Sequence, residues 1–149
     1  MTELSKFYER LGKLVPGYSG YSNRNDIRED DYQLRLYAKQ KIEGFVHQIE
    51  KSKNDFDDDA ILEIDKVQNN LRLFCVKVVN QSYGYSALFD KSNSKNDMRE
   101  KKLNLLVEND KEIISIIEGF SVENHDIDAL KKLEENLVGL LAHRKEIVR

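Results

Sequence analysis

Apolar residues recur every three or four positions through most of this chain and nowhere alternate over a useful length. That pattern predicts helices and no strands. A first segment, about 2–15, puts Leu4, Phe7, Tyr8, Leu11, Leu14 and Val15 on one face, and Pro16 with Gly17 ends it. The first long run spans about 27–52, with Leu34, Tyr37, Ala38, Ile42, Phe45, Val46 and Ile49 as its stripe. The acids of "IREDDYQLR" at its start suit the positive end of a helix dipole. A second run begins near "NDFDDDA", where Asn54, Asp55 or Asp57 can cap it. Its stripe of Phe56, Ala60, Ile61, Ile64, Val67, Leu71, Phe74, Cys75, Val78 and Val79 is the most regular in the chain. A third follows "KSNSKND", with Ser94 or Asn96 as cap and Leu103, Leu106, Val107, Asp110, Ile113, Ile114, Ile117 and Phe120 on one side. The fourth follows "SVENHD", with Asn124 or Asp126 as cap, and carries Ile127, Leu130, Leu133, Leu137, Leu140, Leu141, Ile147 and Val148.

Four such runs, two of their joints short, predict an all-α fold, an antiparallel four-helix bundle with a short extra N-terminal helix. The 149 residues fit a single helical-bundle domain over 1–149: a short helix at 1–15, a Tyr/Gly loop at 16–26, and four long helices over 27–149. Helices of this length span about 36 to 42 Å at about 1.5 Å per residue, so an elongated molecule is expected.

Composition adds little beyond this. Charged residues make up 34% of the chain, which fits coiled-coil-like helices with ion pairs along their outer faces. The net charge of −3 is near balance, so no overall field draws the chain to nucleic acid. A single cysteine, Cys75, makes neither an internal disulfide nor a thiolate cage, and its place in a helix stripe reads as a small buried hydrophobe. With no signal-peptide core and no apolar run near 18 residues, a cytoplasmic protein is expected.

The segments between helices are more distinctive. "GYS" occurs at 17–19, 20–22 and 84–86, each time outside the helical runs. Glycine turns the chain tightly, tyrosine packs a ring while keeping a polar tip, and serine bonds back to loop amides. Residues 15–26 and 80–94 therefore read as compact loops, expected to meet at one end of the bundle as an aromatic plug. Arginines follow the first loop, and Tyr with Arg is the make-up of binding hot spots. The candidate partner-binding residues are Tyr18, Tyr21, Arg24, Arg28, Tyr83, Tyr85 and Phe89.

The stretches "LVPGYSGYSNRNDIREDDYQLR" and "YGYSALFD" resemble paired features of a group of small, uncharacterised bacterial helical-bundle proteins, with PGYxGY before a charged helix and YGYxxLFD before the third. The resemblance covers most of the chain. It implies the fold and the pairing of the two loops, and it brings no activity and no catalytic residue.

Sites of chemistry are not legible. A di-iron bundle needs Glu-x-x-His on two helices, and none of His47, His125 or His143 has that spacing. Glu43 and His47 are four apart and read as a surface pair. "DFDDDA" lacks the spacing of an EF-hand loop. Residues 91–102 carry a small basic excess that reads as a solvated helix start. Asp110 interrupts an apolar stripe: either it is buried and needs a partner, a loop tyrosine, Arg28 or Arg35, or it faces the bundle's edge. The expectation is a non-enzymatic protein-interaction or scaffolding module, without cofactor or metal. Its partner is another protein or a second copy, engaged through the Tyr/Gly/Arg end or a helix face. The alternatives are a membrane-surface binder acting through the N-terminal amphipathic helix, and a small-ligand site at the tyrosine end.

Overall fold

A computed structural model of the chain describes residues 15, 18, 27–80, 97–120 and 126–148. These residues form α1 (Ile27–Ser52), a single 3-10 turn (Lys53–Asp55), α2 (Asp58–Asn80), α3 (Asp97–Gly119) and α4 (Ile127–Val148), with no strand among them. The short helix expected at 1–15 and the two Tyr/Gly loops lie outside the described residues, apart from Val15 and Tyr18.

Two helix starts show their cause directly. Asp57 Oδ1 accepts from the Ala60 amide at 2.8 Å, and Asp126 Oδ1 accepts from the Ala129 amide at 3.0 Å. Each carboxylate satisfies one of the amides that a helix start leaves without an intrahelical partner. Of the cap candidates, Asp57 and Asp126 are therefore the ones used. Ser94 and Asn96 fall outside the described residues.

The stripes become the core. Leu34, Ala38, Ile42 and Ile49 of α1 are buried against Ile64, Leu71, Phe74 and Val78 of α2, Leu106, Ile113 and Ile114 of α3, and Leu130, Leu133 and Leu137 of α4. Each buried Leu, Ile, Val or Phe side chain contributes about 1.5–3 kcal/mol by leaving water. Toward one end, the rings of Phe45 and Phe120 meet at 5.0 Å between centroids, a tilted aromatic pair tying α1 to the end of α3.

Each helix packs on two others, in the cyclic order α1, α2, α4, α3. The Gln68 side chain donates to the Val46 carbonyl and to Glu50, and Cys75 Sγ donates to the Lys39 carbonyl. Partners on α1 descend as positions on α2 rise, so these two helices run in opposite directions. Between α2 and α4 the order is the reverse. Lys131 pairs with Glu63 at 3.1 Å and Asn70 donates to Glu134 at 2.5 Å, so the two helices advance together. α1 and α4 face each other across the diagonal. No helix among the described residues is long and apolar enough to cross a membrane.

Candidate functional site

Two features of the described residues could carry function: an ionic cluster inside the bundle and an open groove on its surface.

The cluster is built on three helices. Arg144 of α4 is fully buried, and its guanidinium reaches across the diagonal to Asp31 Oδ1 of α1. Its Nε lies 3.3 Å from Asp110 Oδ1 of α3. The second oxygen of Asp31 is 2.9 Å from Arg35 Nε, one turn along α1. The second oxygen of Asp110 accepts the Tyr18 hydroxyl at 3.2 Å. Each oxygen of Asp110 accepts a hydrogen bond and each oxygen of Asp31 faces a guanidinium, the contact to Arg35 being an ion pair and not an aligned hydrogen bond. Burying such charges costs several kcal/mol each unless every charge is met, so geometry of this kind fixes one register of the helices more than it adds stability. Asp30 and Asn109 are buried alongside. The Asn109 amide makes no hydrogen bond among the described residues.

Of the partners expected for Asp110, a loop tyrosine is present: Tyr18. Arg35 pairs with Asp31. Arg144, at the centre of the cluster, carries no role in the sequence reading, and the charged start of α1 needs correction. A surface acid favoured only by the helix dipole stays in water, yet Asp30 and Asp31 are 1% and 0% exposed, so a counter-charge and not the dipole accounts for Asp31. The stripe itself carried the signal. Stepping back from Leu34 and Ala38 by a turn reaches Asp31, and stepping on from Leu137 and Leu141 reaches Arg144.

Of the candidate contact residues, Tyr18 is 4% exposed and its amide donates to the Val15 carbonyl at 3.1 Å. Arg28 is exposed in the first turn of α1. Tyr21, Arg24, Tyr83, Tyr85 and Phe89 lie outside the described residues.

The groove runs between α2 and α4. Its volume is about 760 Å³, and it is lined by Leu73, Phe74, Val76, Val138, Leu141 and Ala142, with Asn70 and Glu134 toward one end and Lys77 and Lys145 toward the other. Leu73, Val76 and Val138 are each about half exposed, at 48%, 55% and 48%. They sit at 73, 76 and 138, outside the core stripe that the sequence pattern draws on each helix, and a pattern read for the core passes over them.

Little else invites chemistry. No group of three or more His, Cys, Asp or Glu among the described residues could hold a metal ion. Burial, with the charge of Glu43 adding to it, pushes the Cys75 thiol up to about 11, so it stays protonated and a poor nucleophile near neutral pH. Glu50, exposed and bonded by Gln68 and Lys53, is held below the usual carboxylate range. Lys53, bonded by Asp65 and Glu50, is raised. Glu50, Gln68, Lys53 and Asp65 together pin the α1–α2 joint. Comparison with protein-family models, with curated proteins and with solved structures finds no match to this chain.

Proposed function

We propose that this chain is a non-enzymatic protein-interaction module: a four-helix bundle with a short N-terminal helix, in which α1 and α2 run in opposite directions and the neighbours α2 and α4 run in the same one. Its described surface offers an apolar helix of a protein partner the groove between α2 and α4. The observation that carries this reading is the gathering of Leu73, Val76 and Val138, half exposed, around one opening. An apolar centre with Glu134 at one end and two lysines at the other has the make-up of an interface core with a polar rim. The groove suits a helix laid lengthwise, since its two walls are themselves helices. The Tyr/Gly/Arg end is a second contact region in this reading. There Tyr18 acts as a tether through its hydroxyl on Asp110, while Arg28 is exposed to a partner.

A photo-reactive amino acid placed at Val138, with Gln48 on the outer side of α1 as control, tests this in the cell of origin. The expected result is a cross-linked protein at Val138 that is absent at Gln48. Equal labelling at both positions, or none at either, overturns the proposal.

A further inference from the structure

We propose that the groove between α2 and α4 takes a partner helix of one charge pattern in one direction. The partner runs antiparallel to both walls, with acids in its first turn over Lys77 and Lys145 and a base in its last turn over Glu134. The inference rests on the interaction reading above and adds the charge and direction of the partner.

The groove is a second seam on each wall. On α2, Asn70, Leu73, Phe74 and Lys77 line it at i, i+3, i+4 and i+7. On α4, Glu134, Val138, Leu141 and Lys145 line it at i, i+4, i+7 and i+11. Phe74 and Leu141 are buried and serve the core as well, whereas Leu73 and Val138 are half exposed. Two such stripes side by side are a surface into which the ridges of a third helix pack. The lined stretch covers positions 70–80 of α2 and 134–145 of α4. That is about 15–17 Å at about 1.5 Å per residue, so about three turns of a partner fill it, with apolar anchors at i, i+4 and i+7.

The charges that set the direction line the groove themselves. Lys77 and Lys145 stand exposed at one end, and neither is ion-paired among the described residues. Glu134 stands at the other end, with one oxygen bonded to Asn70. Because α2 and α4 advance together, their carboxy-terminal ends, which carry partial negative charge, both lie at the lysine end.

A partner antiparallel to both walls opposes its dipole to theirs and sets its first turn at the lysine end. Acids are favoured in that turn by the partner's own dipole and by the two lysines. Bases are favoured in its last turn by the same dipole and by Glu134. A parallel partner would lay its basic end on Lys77 and Lys145 and its acidic start on Glu134, like charge on like. An anionic amphiphile would satisfy the lysines but leave Glu134 against its apolar tail, so the two-signed groove favours a helix.

The probe is a stapled, acetylated and amidated peptide of about 16 residues, with Glu in its first turn, Leu at i, i+4 and i+7, and Lys in its last turn. Calorimetry and nuclear magnetic resonance on the full chain test the inference. Lys77→Glu/Lys145→Glu is expected to weaken binding at least about tenfold. A peptide with Lys in its first turn is expected to regain that loss on the variant alone, which damage to folding would not produce. A nitroxide on the first residue of the original peptide is expected to broaden the amide signals of 76–80 and 143–148 more than those of 66–70. No binding, equal binding to wild type and variant, or stronger broadening at 66–70 overturns the inference. So does a wild-type dimer that Leu73→Glu dissociates, since a second copy would then hold the groove. A cross-link from Val138 to a protein segment without acids ahead of its apolar positions removes the charge pattern and leaves the interaction reading standing. No cross-link at Val138 and no peptide binding removes both.

Discussion

The Tyr18 hydroxyl donates to Asp110 Oδ2 at 3.2 Å in a setting where neither residue meets much water. Two kinds of contribution meet in this one side chain. The ring fills space beside the core, and the hydroxyl answers half of a buried carboxylate. Tyr18→Phe separates them, since it keeps the ring and removes the donor. Loss of one hydrogen bond to a buried charged acceptor is expected to cost about 1–3 kcal/mol, read as a lower urea midpoint at unchanged slope. A variant within experimental error of wild type would show that the hydroxyl is not what holds the segment before α1 to the bundle. Asp110 was legible in the sequence because it breaks an apolar stripe with a charge. Asp31 and Arg144 were not, although they lie on the extensions of their own stripes. Asp31 stands 113 positions from Arg144, and Asp110 stands 34 from it. Periodicity says which face a residue shares, but nothing local in the sequence says which distant charge it meets.

At the scale of the element, the four long helices were legible almost to their ends, because each carries an apolar stripe at helical spacing, interrupted in α3 by Asp110. The order of the helices around the core was not. That order depends on which stripes interlock, and several apolar stripes of similar width can interlock in more than one way. One feature inside α1 runs against helix formation. Gly44 sits near the middle of this 26-residue helix, and a Cβ built there meets nothing within 4 Å. A glycine in an exposed helix interior costs about 0.8–1.0 kcal/mol relative to alanine, mostly through the freedom it has when unfolded. Gly44→Ala is therefore expected to stabilise the chain by about 0.5–1 kcal/mol, seen as a higher denaturation midpoint. A destabilised Gly44→Ala would mean that the position is held open by a contact outside the described residues.

For the molecule as a whole, the question is what joins the two halves of the chain. α1 pairs with α2, and α3 pairs with α4, through short joints; those contacts are nearly local. The α1–α2 pair is tied to α3–α4 by apolar packing, by Phe45 on Phe120, by Lys131 on Glu63 and Asn70 on Glu134, and by Arg144, which touches charges on both α1 and α3. Its Nε serves Asp110 and a terminal nitrogen serves Asp31, so the spread of the guanidinium matters as well as its charge. Arg144→Met leaves two buried carboxylates short of their shared cation, and removing one partner of such a group costs about 3–5 kcal/mol. Arg144→Lys keeps the charge but concentrates it at one point, so it should recover only part of that loss. Chemical denaturation checks the magnitudes. Amide hydrogen exchange checks the route: in Arg144→Met, protection should fall first in the opening turns of α1 and the closing turns of α4, while the middle of α2, held by Gln68 and the core, changes least. Uniform loss of protection across all four helices would instead make Arg144 one contributor to a core that stands or falls as a unit. An Arg144→Met variant as stable as wild type would show that apolar packing alone sets how the two helix pairs meet.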